Sequence, residues 1–249
     1  MDIFDGVLLC SDIDGTLTAQ GKVPDINRRY LSYFMEHGGM FTVSTGRLPQ
    51  YLKEANLLVT PNVPMVCSNG TVIYDLDKER VIYEATLSER LVNEVLSFAK
   101  EIQPEAKVSV YHTKGILQKE ELHAEVSVNK IVFSLLTEED AITLAKKIQS
   151  RFPKDVRTER SWKTGTEVIP AHAGKGVCVQ KLKELCGAKQ LICVGDYEND
   201  IGMLESADIG YAVENALESV KAAADRITVA NTEGAIAEII KMTERELRG

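Results

Sequence analysis

Short apolar runs recur along the chain, each stopping abruptly at polar side chains, with helical stretches between them. Val7-Leu8-Leu9-Cys10 is the first, a buried strand that ends at Ser11-Asp12-Ile13-Asp14-Gly15-Thr16. Pro24-Asp25-Ile26 opens a helix to Glu36, closed by His37-Gly38-Gly39. Met40 to Ser44 is a second strand, ending at Thr45-Gly46-Arg47. A helix follows from Pro49, and Pro64 to Cys67 is a third strand ending at Ser68-Asn69-Gly70. This alternation predicts βαβ units and a parallel sheet. Every strand delivers polar residues at its carboxyl end, the edge where open α/β sheets bind ligands.

From Ser88 the pattern changes. After a hairpin (Thr71 to Asp75, Arg80 to Glu84) come a helix from Glu89 to Ile102 and a strand at Val108 to Val110. A patternless stretch runs through Glu125, then a strand spans Asn129 to Leu136, a helix Glu138 to Arg151, and strand-like residues Val156 to Trp162. This block reads as a separate α+β module. Gly165-Thr166-Glu167-Val168-Ile169-Pro170 is read as the return to the first style, and Lys175-Gly176 opens a helix to Cys186. Leu191 to Val194 is a strand ending at Gly195-Asp196-Tyr197-Glu198-Asn199-Asp200. A strand at Ile209 to Val213 and a closing helix from Glu233 follow. The expected division is a core of residues 1–85 and 165–249 with an insert at 86–164. Its crossings fall near Glu84 to Ser88 and near Thr164 to Val168, where Gly165 would supply backbone freedom.

Composition narrows the functional class. The 249 residues suffice for a sizeable core, and the net charge of −8 without a basic tract argues against a nucleic-acid partner. No apolar stretch has membrane-spanning length, and the acidic start lacks a signal peptide's basic character. The five scattered cysteines show no Cys-x-x-Cys pair and read as buried reduced thiols of a cytoplasmic protein. His37, His112, His123 and His172 lack metal-ligand spacing.

Four polar stations carry the candidate chemistry. Strand alternation points Asp12 and Asp14 the same way, and two carboxylates so close persist most easily beside a cation, for which oxygen ligands suit Mg²⁺. A calcium loop is excluded, because Leu17 and Val23 stand where such a loop needs Gly and Glu. Phosphoryl transfer through an aspartyl-phosphate needs a carboxylate nucleophile, for which Asp12 is the candidate, and an acid/base group, for which Asp14 is placed. It also needs a hydroxyl and a cation for the phosphoryl oxygens, met by Thr45 and Lys175, and further carboxylates for the metal, met by Asp196 and Asp200. Gly46, Arg47, Asn69 and Asn199 stand at the same strand ends and are candidates for holding substrate. Structural pairing is the alternative for Arg47 and Asn69, and orientation of the carboxylates is a role open to Asn199. Trp162 reads as a packed aromatic, with the alternative that it and Lys163 face substrate from the insert, and Tyr197 and Glu198 read as structural or solvent-facing residues.

The run Asp12-Ile13-Asp14-Gly15-Thr16-Leu17 resembles motif I of the haloacid dehalogenase (HAD) phosphatase superfamily, and Thr45, Lys175 and Asp196 resemble its later motifs in order. The resemblance implies that Asp12 is phosphorylated and binds Mg²⁺, and that Asp14 is the acid/base and lends its carbonyl to the metal. It further implies that Thr45 and Lys175 hold phosphate, and that Asp196 and Asp200 complete the metal site. The insert between the second and third motifs is similar to the type IIB cap of the Cof-like group. Thr45-Gly46-Arg47, Ser68-Asn69-Gly70 and Asn231-Thr232-Glu233-Gly234-Ala235-Ile236 also match that group. Gly174, before Lys175, departs from the small polar residue usual there, and the short cap departs from many members. The expectation is therefore an α/β fold: a Rossmann-like core with an inserted α+β cap. Its function would be Mg²⁺-dependent hydrolysis of a small phosphorylated metabolite, sugar phosphates first. A phosphomutase and a catalytically silent binding module are the alternatives. A dehalogenase would share Asp12 but need neither Asp14 nor a metal cluster.

Overall fold

A computed structural model describes residues 2–54, 59–117 and 127–249. The expected parallel sheet is present, built from β1 (Val7–Ser11), β2 (Met40–Val43), β11 (Gln190–Gly195), β12 (Ile209–Ala212) and β13 (Arg226–Ile227), in the order β13-β12-β11-β1-β2. β1 pairs in parallel with both β11 and β2. Its five residues are all buried, which is why the first four, Val7 to Cys10, form one continuous apolar run. Helix α1 (Asp25–Glu36) packs on α8 (Ala235–Arg248), and α5 (Lys175–Cys186) on α6 (Ile201–Ser206). Leu8, Leu9, Phe34, Phe41, Val194 and Ile239 belong to the shared core. Burying each such side chain stabilises the fold by about 1.5–3 kcal/mol before entropy is counted.

β3 (Met65–Cys67) departs from the expected third parallel strand. It pairs antiparallel with β4 (Val72–Asp75), which pairs with β5 (Arg80–Glu84), and it meets the β2 edge only through a parallel bridge between Ser44 and Val66. That bridge still brings the loop after β3 beside the loop after β2.

The inserted module is a second sheet, β7-β6-β8-β10-β9, with all neighbours antiparallel. Its strands are β6 (Lys107–His112), β7 (Gly115–Leu117), β8 (Lys130–Ser134), β9 (Val156–Glu159) and β10 (Gly165–Pro170). Helices α3 (Glu89–Ile102) and α4 (Glu138–Arg151) accompany it, with a core of its own around Val95, Ile131, Phe133, Leu144 and Ile148. The patternless stretch lies outside the described residues from position 118 onward.

One boundary moves. Gly165–Pro170 lies inside the second sheet, between β8 and β9, so the return crossing falls at Ala171 to Gly174 and not at 164–168. Gly165 is no hinge. A Cβ there would run into the Trp162 indole, so the glycine is what lets that ring lie against the strand. At the first crossing Asn129 donates to Glu84 Oε1 (3.0 Å) and to the Ala85 carbonyl (3.1 Å), tying the connection to the second sheet.

Candidate active site

The ladder runs one residue past the ends of β1 and β2. Asp12 N–H donates to the Val194 carbonyl (3.0 Å) and Ser44 N–H to that of Ser11 (2.9 Å), which fixes Asp12 and Thr45 side by side at the sheet edge. Thr45 is held again from β3, its N–H donating to the Val66 carbonyl (2.9 Å). Lys175 opens α5, and its Nζ donates to Asp12 Oδ1 and to Asp200 Oδ1, both at 2.6 Å. Gly174, the sequence's departure from its group, is tied down through its N–H to the Gly70 carbonyl (3.2 Å).

Asp200 is the structural keystone of the loop after β11. Its second oxygen accepts from the N–H groups of Asp196 (3.0 Å) and Tyr197 (3.2 Å), closing the loop on itself. Asp196 is steadied by the Thr16 hydroxyl, which donates to Oδ1 at 2.6 Å. Gly15, at φ 91°, must be glycine twice over: the turn lies in the left-handed region, and a Cβ would collide with the Asp196 carboxylate.

The charges are crowded. Burial raises the Asp12 carboxyl well above its usual range; Lys175 opposes the shift, and Asp200 and Asp196 add to it. Burial also pushes Asp196 up to about 6, with Asp200 repulsion behind it. Lys175 is pulled toward losing its proton by burial, but the attraction of Asp12 and Asp200 outweighs this and holds it above the ordinary lysine value. Oxygens of Asp12, Asp196 and Asp200 lie within 4.8 Å of one another. Lys175 offsets one of those three charges, and the remainder is an all-oxygen donor set of the kind that suits a hard divalent cation. The residues fit Mg²⁺.

Above this floor lies a cavity of about 390 Å³. Asp12, Asp14, Thr45, Gly46, Arg47, Asp196 and Asn199, all singled out in the sequence, line it. Asp14 is exposed at the rim, where Arg47 grips it with Nε (2.9 Å) and Nη2 (2.7 Å). The Thr45 hydroxyl accepts from Arg47 N–H (3.2 Å), which closes the turn after β2 while Thr45 lines the cavity. Asn69 is placed behind the lining, buried. Its Nδ2 donates to Ser161 Oγ (2.9 Å) and Glu167 Oε2 (2.8 Å), and its Oδ1 accepts from Asn199 (3.1 Å).

Sequence reasoning missed the roof. Tyr111, Lys130, Ser161, Trp162 and Glu167, all from the inserted module, close the cavity from above, and Tyr197 lines it from the core. Lys130 Nζ reaches across to the Gly46 carbonyl at 2.8 Å and pairs with Glu167 Oε2 at 2.8 Å. Arg160 makes a second tie, donating to Glu198 (3.0 Å) in the Asp196 loop and to Glu138 (3.0 Å) on α4. One signal was available. Lys130 and Glu167 interrupt buried strands, and charged residues are almost never fully buried without a partner.

Comparison with known proteins agrees with this architecture. The family model for haloacid dehalogenase-like hydrolases matches residues 9–126 and 115–240. A phosphoglycolate phosphatase of Methanosarcina acetivorans is 26% identical, over 94% of each chain. The 5-amino-6-(5-phospho-D-ribitylamino)uracil phosphatase YwtE of Bacillus subtilis is 25% identical, over 92% of this chain and 95% of its own. Among solved structures, the HAD subclass IIB sugar phosphatase BT4131 superposes with a TM-score of 0.77 at 23% identity, covering 94% of this chain and 98% of its own, a likeness of fold. The parallel core, the antiparallel insert and the matched motifs place the chain in the haloacid dehalogenase-like hydrolases, as a Cof-like phosphatase.

Proposed function

We propose that this phosphatase is Mg²⁺-dependent and hydrolyses small phosphorylated metabolites, sugar phosphates first, through a phosphorylated Asp12. The observation that carries the reading is the buried Asp12 carboxylate at the cavity floor, 2.6 Å from Lys175, with a second carboxylate, Asp14, at the rim above it.

Lys175 holds one Asp12 oxygen and leaves the other for attack on phosphorus. As the Asp12 O–P bond forms, the bond from phosphorus to the leaving oxygen breaks, and Asp14 gives that oxygen its proton. Asp14 then takes a proton from water, whose oxygen displaces Asp12 and frees phosphate. Thr45 offers its hydroxyl to a phosphoryl oxygen, and Arg47 keeps Asp14 at the rim. Asp12, Asp196 and Asp200, with the Asp14 carbonyl, are the residues that would hold Mg²⁺. When bound, the ion would offset the repulsion between the phosphate and this acidic floor.

The substrates named for the two relatives share only the phosphomonoester: phosphoglycolate carries a carboxylate, the ribitylaminouracil phosphate a neutral polyol. The test is phosphate release from an aryl phosphate. Mg²⁺ should support turnover, EDTA should abolish it, and Ca²⁺ should restore it poorly because its larger, looser shell spoils in-line geometry. Full activity in the chelator would reject the metal assignment.

A further inference from the structure

Resting on that phosphatase reading, we propose that Glu167 and Lys130 make the roof of the cavity a charge filter: it accepts phosphomonoesters whose leaving group is neutral and hydroxyl-bearing, and turns away those carrying a second anion.

Lys130 is the one cation that the inserted module contributes to the cavity lining among the described residues, and its charge is already paired. An ammonium has three N–H donors. One goes to the Gly46 carbonyl and one to Glu167 Oε2, each at 2.8 Å, and the ammonium also stands 5.0 Å from the centroid of the Tyr111 ring. Both partners are sealed, Lys130 being 4% and Glu167 2% exposed. An incoming carboxylate would have to share the Lys130 charge with Glu167, or displace Glu167 and leave that buried carboxylate without its cation. Asn69 also donates to Glu167 Oε2 at 2.8 Å, so the displacement would strand a second donor.

Among the other described residues, the lining gives an anion no better purchase. Arg47 is gripped by both oxygens of Asp14, and Lys175 lies beneath, shared by Asp12 and Asp200. Among the described residues, what remains to meet a leaving group is neutral: the Ser161 hydroxyl, the Asn199 amide, and the rings of Tyr51, Tyr111 and Trp162. The hydroxyl and the amide each have hydrogen-bonding capacity beyond their contact with Asn69. Hydroxyls can trade hydrogen bonds with the first two and lay C–H faces on the rings. A second anion would instead have to shed its water in a confined cavity whose described cations are already paired, and a buried charge without a partner is costly.

The experiment compares kcat/KM for matched pairs that differ only in a hydroxymethyl group against a carboxylate: glycerol phosphate with phosphoglycerate, and sorbitol phosphate with phosphogluconate. The ratio within each pair is independent of the fraction of protein that is folded. The native chain should favour the neutral member by about 10-fold or more. Glu167→Gln should free Lys130 and move the ratio toward the carboxylate member by a similar factor, while Lys130→Gln should move it further toward the neutral one. Should Glu167→Gln fail to fold, the native ratios alone decide the matter. Ratios near one, or favouring the carboxylates, with both members turned over, would overturn the filter and leave the phosphatase reading standing. Turnover of neither pair while an aryl phosphate is hydrolysed would likewise overturn the filter alone. No turnover of any phosphomonoester would overturn both.

Discussion

The floor and the roof of the cavity are built on opposite principles. The floor is made by strand ends and one helix start of a parallel sheet, and it gathers three carboxylates and a lysine where burial makes their charges costly. The roof is made by an antiparallel sheet, and it sets its own charges, Lys130 and Glu167, against each other. A floor of uncompensated charge suits a group every substrate shares, the phosphoryl dianion and its metal. A roof of cancelled charge suits discrimination among the parts that differ. Changes in the floor should therefore depress all substrates together, and changes in the roof should redistribute preference among them.

The largest expected effect lies in the floor. Asp12→Asn keeps the shape and removes the attacking charge, so kcat should fall by at least about 10³-fold on aryl and sugar phosphates alike. Steady-state assays of a folded variant check this, and a loss confined to one substrate would break the division between floor and roof.

An intermediate effect is expected at the joint. Arg160 ties α4 to the loop that carries Asp196 and Asp200, through Glu138 and Glu198. Arg160→Met should lower kcat/KM on sugar phosphates by roughly 3- to 10-fold, because small misplacements of roof over floor are felt in the bound geometry. A small aryl phosphate, which relies less on the roof, should lose less. Equal losses on both would assign Arg160 to the floor.

The smallest effect is one of stability. Burial pushes the Glu159 carboxyl up to about 7; Arg157, at 2.8 Å, and Lys175 oppose the shift, and Glu167 and Asp200 add to it. The folded chain thus binds this proton more tightly than the unfolded chain. The resulting stabilisation is complete below the ordinary value of 4.5 and lost as pH rises through about 7. Glu159→Gln should therefore raise unfolding stability by about 1–3 kcal/mol near pH 8 and by little near pH 4, measured by urea denaturation. A stabilisation equal at both pH values would remove Glu159 titration as its cause.

What the sequence disclosed follows the same division. Helices α3 and α4 were legible to the residue because each begins at a hydroxyl that caps it: Ser88 accepts from Leu91 N–H (3.3 Å) and Thr137 from Asp140 N–H (3.1 Å). The floor was legible because its residues sit in short contiguous runs at strand ends, where local pattern and chemistry coincide. The allegiance of β10 was not. Thr166 to Pro170 is as buried as a parallel strand, and only its distant partners in β8 and β9 reveal which sheet it joins. β3 misled for the same reason, since three apolar residues say nothing about the direction of their neighbour. The roof escaped because Lys130 and Glu167 are 37 residues apart, and a charge within an apolar strand signals that it needs a partner without saying which one.

If Asp12 is the group that takes the phosphoryl, the acyl phosphate it forms can be caught by chemistry. The native chain, quenched during turnover of an aryl phosphate with Mg²⁺ and reduced with borohydride, should yield homoserine at position 12 and leave Asp14, Asp196 and Asp200 unchanged by peptide mass spectrometry. Conversion at one of those three instead, or none in a sample that is turning over and shows no other phosphorylated carboxylate, would contradict that role for Asp12.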